Sequence, residues 1–156
     1  PRERVTAVRA VAQRVRMARI EVAGETVGEM ASGLLALVGV GRGDDEEAAR
    51  ELARRLLQLR IFEDAAGRMN RSLLETGGAL GVVSQFTLLG DARQGRRPSF
   101  AAAAPAAQAA PLVEAVAAAA RAEGVPVVCG RFGARMAVWL VNDGPVTLLL
   151  DTEKRF

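Results

Sequence analysis

Met136-Ala137-Val138-Trp139-Leu140-Val141, then Asn142-Asp143-Gly144-Pro145, then Val146-Thr147-Leu148-Leu149-Leu150-Asp151: the reading of this stretch decides the fold. Apolar residues fill successive positions in both flanking runs, so strands here need cover on both faces, and a subunit interface is one way to supply it. Proline lacks an N–H and fixes φ, which suits it poorly to the middle of a central strand. Two readings follow. Asn-Asp-Gly-Pro is good turn chemistry, and the pattern alone favours a turn between two closing strands, Met136–Val141 and Val146–Asp151. The sharper reading is a rigid backbone corner presented to another molecule. X-Pro is also the step at which a cis peptide is accessible, and residue letters do not choose the isomer.

Working outward, Ala7–Val15 and Ala18–Val22 carry spaced β-branched residues and read as strands. A turn at Ala23-Gly24-Glu25 leads to a third strand, Thr26–Met30, and Gly33–Val40 is a buried strand. Asp44, with Glu47 three residues on, has capping-box spacing, and Leu52, Leu56, Leu57 and Ile61 stripe the helix it opens. Glu63–Gly67 is a polar turn, and Met69–Leu74 a short irregular or helical piece closed by Gly77-Gly78. Ala79–Leu89 reads as another buried strand, Leu89–Ser99 as a loop, and Ala101–Ala110 as low-complexity alanine. A second helix is expected from Pro111 to Glu123, with Gly124 past its end, followed by a strand at Val125–Cys129. Strands at both ends with helices between predict a layered α/β chain with two main helices over an extensively buried sheet. No linker divides residues 1–156 into two cores, so one domain is expected.

Composition narrows the chemistry. There are no histidines, which excludes a Ser-His-Asp triad, an imidazole base and a histidine-ligated metal. Net charge is +3, and nearly all the positive charge is arginine, whose fork suits phosphate. Cys129 stands alone and cannot form an internal disulfide. No apolar run is long enough to span a bilayer, and a cytoplasmic location is expected.

Two further segments are candidates for a site. Ser84-Gln85-Phe86-Thr87-Leu88 ends a buried strand at the lip of a loop, where hydroxyls, an amide and free backbone N–H groups can meet a ligand. The loop Asp91–Phe100 sets Arg93, Arg96 and Arg97 beside Gly95, a pattern that fits phosphate contact or a solvated surface. Gly130-Arg131-Phe132-Gly133 lacks phosphate-loop spacing and reads as structural. Trp139 reads as core or interface.

Together, Ser84–Leu88 and Asn142–Thr147 resemble the two signature motifs of the D-aminoacyl-tRNA deacylases, Ser-Gln-x-x-Thr and Asn-x-Gly-Pro-x-Thr. The likeness extends in order through Gln13-Arg14-Val15, Leu59–Asp64, Gly67–Leu73, Gly95–Phe100 and Gly130–Ala134, roughly Ala7 to Asp151. Residues 1–6 precede the family's usual start, Gln94 stands where a basic residue is common, and Arg16-Met17-Ala18 is more basic and bulky than usual. The resemblance implies a β/β/α layered fold with a partly barrel-like sheet, a homodimer, and hydrolysis of the ester joining a D-amino acid to the tRNA 3′-terminal adenosine, without metal or cofactor. It implies that Gly144-Pro145 is cis and reaches the partner's pocket, excluding L side chains while glycine passes, so that glycyl-tRNA mischarged onto tRNA-Ala is a further substrate. Arg14 and Asn142 would brace that corner. Ser84, Gln85, Phe86, Thr87 and Thr147 would meet the substrate, backbone N–H groups at Phe86 and Thr87 would hold the ester carbonyl, and Arg93, Arg96 and Arg97 would face RNA. Thr87 as a nucleophile has no base to activate it, so the ribose 2′-OH is expected to assist. The alternatives are a relative with a trans Gly-Pro that edits L-alanyl- or glycyl-tRNA, and a non-catalytic RNA-binding dimer.

Overall fold

The computed structural model describes residues 8–156; the extension expected over residues 1–6, and Ala7, lie outside them. In chain order the elements are β1 (Arg9–Val22), β2 (Glu25–Met30), β3 (Gly33–Gly39), α1 (Glu46–Gln58), β4 (Phe62–Glu63), β5 (Met69–Arg71), α2 (Leu73–Thr76), β6 (Ala79–Ser84), a 3-10 turn (Phe86–Leu89), α3 (Ala106–Ala122), β7 (Val127–Cys129) and β8 (Ala137–Asp151). The main sheet runs β2-β1-β3-β6-β7, with β8 pairing β1 as well. β1 is antiparallel to β2, β3 and β8, while β3, β6 and β7 are parallel. The sheet curls until β2 meets β7, where Gly28 backs onto Val128, giving an α/β fold with a nearly closed, barrel-like sheet.

Two apolar clusters hold these layers. Leu34, Val82, Leu52, Leu56, Leu112 and Val116 lie between the sheet and the helices α1 and α3. Val15, Ile20, Met30, Leu35 and Val83 pack in a second cluster, against Val138 and Leu140 of β8. Each fully buried Leu, Ile or Val contributes about 1.5–3 kcal/mol relative to exposure. Burial on both faces explains why β3 and β6 read as near-continuous apolar runs.

The end of the chain corrects the turn reading. β8 is one strand that stays antiparallel to β1 on both sides of Gly144-Pro145. Gln13 faces Thr147 and Val15 faces Asn142, so two steps along β1 oppose five along β8. The residues between are a wide bulge. Three extra steps is an odd number, and an odd insertion swaps the faces of every later side chain. Accordingly Val138 and Leu140 join one cluster, whereas Val146, Leu148 and Leu150 join the other. The apolar letters at alternate positions have another cause, since Trp139, Val141 and Leu149 between the packed residues are exposed.

Other elements shift for local reasons. The two expected opening strands are one, kept continuous across a register shift at Arg16. α1 is capped by Asp45, whose carboxylate accepts from Ala48 N at 2.9 Å. Asp44 turns inward instead, its Oδ2 accepting from Gly41 N at 2.5 Å. Met69–Leu74 divides into β5 and the start of α2, with Ser72 and Glu75 forming a complete capping box. The strand expected over Ala79–Leu89 stops at Ser84 and tightens into the 3-10 turn. α3 begins at Ala106, with Pro111 inside it. An internal proline costs about 3 kcal/mol, and burial of Ala109, Leu112, Val116, Ala117 and Ala120 offsets this. No helix among the described residues is long and apolar enough to cross a membrane.

Candidate active site

The parallel strands β3 and β6 end side by side, and a cleft of about 460 Å³ opens beyond their C-terminal ends. Ligands favour such places because backbone groups leave the ladder there. Val38, Val40, Val83 and Ser84 form the floor, Gln85 and Phe86 one lip, and Phe132, Gly133 and Ala134 another. Ala104, Ala106, Ala109 and Val113 make one wall, and Met136 and Val138 complete the lining. The alanine-rich segment is therefore a cleft wall whose short side chains leave the groove open. It is held by Ala104 N donating to Val40 O at 2.9 Å, by Arg42 Nε donating to Ala101 O at 2.5 Å, and by Gln108 Nε2 donating to Arg42 O at 2.8 Å.

The 3-10 turn after Gln85 presents Phe86 and Thr87 to solvent. It sits tightly on β3, because a Cβ on Gly39 would come within 2.9 Å of Gln85 O and 2.7 Å of Leu89 Cδ2. Gln85 supplies no side-chain cap, so the first N–H groups of the turn, Phe86 and Thr87, have no intrahelical acceptor. Uncapped backbone donors of this kind suit a developing negative charge. Thr87 Oγ1 accepts from Gln85 Nε2, and with no histidine in the chain no imidazole can take its proton. Phe86 packs edge-on against Phe100 with centroids 5.1 Å apart, tying the arginine loop to the lip.

The bulge is organised differently. Arg14 lies beneath it, 8 % exposed; a guanidinium so buried must be paired. Its Nη1 donates to Ile61 O at 2.7 Å and its Nε to Asp143 O at 3.1 Å. Arg16 reaches the same residue from outside, with Nε 3.2 Å from Asp143 Oδ1. Asn142 closes the bulge across its own neck, its Oδ1 accepting from Val146 N at 3.1 Å and its Nδ2 donating to Thr147 Oγ1 at 3.0 Å. Gly144 has φ +132°, which disfavours any L side chain, and a Cβ there would lie 2.8 Å from Val146 Cγ2. The Gly144–Pro145 peptide is cis. Both residues are exposed, and neither lines the cleft.

A family model described as D-Tyr-tRNA(Tyr) deacylase matches residues 11–151, a span that includes Ser84–Thr87 and the bulge. The chain belongs to the D-Tyr-tRNA(Tyr) deacylase family. Membership makes it a hydrolase of the D-aminoacyl-tRNA deacylase class. It is 58 % identical over 145 residues to "D-aminoacyl-tRNA deacylase" of Chloroflexus aurantiacus, covering 93 % of this chain and 91 % of that one. A solved structure titled "c-Myc DNA Unwinding Element Binding Protein" is 34 % identical with a TM-score of 0.85, covering 91 % of this chain and 97 % of that one. Another, titled "Structural Analysis of a probable eukaryotic D-amino acid tRNA deacylase", is 21 % identical with a TM-score of 0.83, covering 94 % and 100 %, and shares the fold.

Within this deacylase-family chain, the expected site residues separate into two places. Ser84, Gln85 and Phe86 line the cleft, with Thr87 next to them on the 3-10 turn; Arg14, Asn142, Gly144, Pro145 and Thr147 gather at the bulge. Of the loop arginines, Arg93 is already paired, its Nε and Nη2 lying 2.9 and 2.8 Å from the Asp91 carboxylate and holding that acid down at about 2. Arg96 and Arg97 are exposed. Trp139 is 54 % exposed, with the Arg19 guanidinium 5.3 Å from its ring centroid, so it is not core. Two parts of the site were missed in the sequence. One is the alanine wall, whose only signal was its short side chains. The other is Phe132, 40 % exposed on the second lip, whose signal was an aromatic residue between glycines.

Proposed function

We propose that the chain hydrolyses the ester of D-aminoacyl-tRNA as a homodimer in the cytoplasm, with the cleft of one protomer completed by the bulge of the other. The observation that carries this is the separation of the two motifs. A braced, exposed corner that lines no part of its own cleft acts on a cleft only if another copy brings it there. Exposed Trp139 and Val141 on β8 supply apolar area for such a contact.

In the assembled site, the terminal adenosine enters the cleft, where Phe86 and Phe132 offer stacking faces. The Phe86 and Thr87 N–H groups receive the ester carbonyl and stabilise the charge that develops on it. Carbonyls of the partner's Gly144-Pro145 hold the substrate ammonium and occupy the volume an L side chain needs. A D side chain points away from them, and glycine has none to clash, so glycyl-tRNA is also cleaved. Selectivity by exclusion lets one pocket accept many D-amino acids. The attacking group is water, assisted by the ribose 2′-OH. That assignment follows from a chain without histidine in which Thr87 faces only a glutamine.

Incubation with D-Tyr-tRNA and L-Tyr-tRNA tests the reading. First-order release of D-tyrosine with L-Tyr-tRNA left intact is the expected result. Equal release of both, or release of neither, refutes it.

A further inference from the structure

The lining of the cleft holds no carboxylate, and Glu114, in the adjoining hollow shared with Ser84, Val113 and Phe132, is already paired with Arg121 at 3.1 Å; cations sit on the lip opposite the arginine loop. Arg131 and Arg135 bracket the turn of Phe132, Gly133 and Ala134 that forms this lip. The turn is closed by Ala134 N donating to Arg131 O at 3.2 Å, and both arginine side chains are exposed. Among the described residues neither has an ion pair or a side-chain hydrogen bond, unlike Arg14, Arg16 and Arg93. Residues 124–142 contain no Asp or Glu, and neither do residues 92–113 on the facing side. Arginines usually neutralise nearby acids, as Arg50 does Glu46 and Arg121 does Glu114. Two uncommitted guanidinium groups beside a carboxylate-free groove have no such task.

We infer that Arg131 and Arg135 bind phosphates of the single-stranded tRNA end as it runs into the cleft, and so position the terminal nucleotide. This rests on the reading that the cleft takes the 3′-terminal adenosine. Phosphate contacts fix register without reading sequence, which suits an enzyme that serves many tRNAs. The focused positive potential of two basic rims also speeds capture of a polyanion. The cations act on the diester groups upstream of the reacting ester, so their effect depends on whether the substrate possesses those groups.

The test compares wild type, Arg131→Gln/Arg135→Gln and Arg131→Lys/Arg135→Lys on two substrates. One is D-Tyr-tRNA; the other is 3′-O-D-tyrosyl-adenosine, which has no phosphate. The glutamine variant should lose about 10- to 100-fold in kcat/KM on the tRNA, chiefly through KM, and at least tenfold more than on the nucleoside ester. The slope of log kcat/KM against log salt should flatten by about 1.4, the value for two single-strand phosphate contacts. Lysine, which keeps the charge, should restore most of the loss. Equal losses on both substrates, or none on the tRNA, overturn the inference. Anisotropy of a labelled oligoribonucleotide ending in CCA separates this from the hydrolase reading. If the protein cleaves neither ester yet binds the oligonucleotide with an arginine-dependent salt slope, the rim stands and the hydrolase reading falls. If binding ignores both arginines, the rim inference falls, whatever the hydrolysis.

Discussion

The cleft lip and the bulge are both short motifs at strand irregularities, yet they are held in opposite ways. At the lip the side-chain bond is local: Gln85 to Thr87, two residues apart, both on a solvent-facing turn. At the bulge, Arg14 reaches Asp143 across 129 positions and Ile61 across 47, from a buried site. Under the proposed function, the difference follows from what each must do. Backbone donors need only be presented to a carbonyl. Rejecting one hand of an amino acid requires atoms that do not yield, and a corner keyed into the core by a buried guanidinium meets that need.

Substitutions at the bulge should therefore have the largest effects. Gly144→Ala places a methyl group 2.8 Å from Val146 Cγ2 and 3.2 Å from Arg14 Nη2, in a backbone conformation that alanine resists. We expect kcat/KM on D-Tyr-tRNA to fall about 1,000-fold, close to 4 kcal/mol. Arg14→Ala strands the buried Ile61 carbonyl and the part-buried Asp143 carbonyl and should destabilise the fold by about 2–4 kcal/mol in urea. It should also release L-tyrosine measurably, because the corner loosens. An Arg14→Ala protein that remains fully D-selective would show that the bulge keeps its shape without the key.

Next in size is an effect beside the cleft. Asp44 belongs to the Gly41–Asp44 turn, and its neighbour Arg42 ties down the alanine wall. Burial is the main cause pushing its carboxyl up to about 7, with Glu153 and Asp151 adding to the rise and the Gly41 N–H opposing it. The folded chain thus holds a proton that the unfolded chain releases near pH 4. The resulting stability is complete below about pH 4 and is lost as pH climbs through 7. Wild type should lose about 1–3 kcal/mol between pH 5 and 8, and Asp44→Asn should flatten that decline. Thermal melts across this range decide it. A wild-type profile already flat would place Asp44 in its ordinary range.

How much of this was legible in the sequence differs between the same two regions. Both motifs stand out as letters, and the apolar runs around them report burial correctly. The topology of the bulge is not in the letters. Asn-Asp-Gly-Pro serves a hairpin equally well, and it is pairing with β1 and the contacts from Arg14 and Arg16, all distant in sequence, that keep the strand running on. The parity swap left no trace in the letters, since Val138-Leu140 and Val146-Leu148-Leu150 are all even positions although they bury on opposite faces. α3 is longer than the sequence predicts because Pro111 is a good first-turn residue, a local rule overridden by burial of Ala109 and Leu112. The capping box of Ser72 and Glu75 is legible in the letters as Ser-x-x-Glu. The alanine wall acquires meaning only from the cleft it borders.

The smallest effect belongs at the lip and sharpens the contrast most. Thr87→Ala removes a hydroxyl that already accepts from Gln85 and leaves the Phe86 and Thr87 N–H groups in place. If those donors and the ribose perform the chemistry, the rate on D-Tyr-tRNA should fall less than about tenfold, under 1.4 kcal/mol. A 2′-deoxyadenosine terminus should cost far more with the unaltered protein. Single-turnover decay on both tRNAs separates the possibilities. Abolition of cleavage by Thr87→Ala with normal tRNA binding would assign the hydroxyl a covalent role. The lip would then be as exacting as the bulge, and the division between a chemical half and a chiral half would fail.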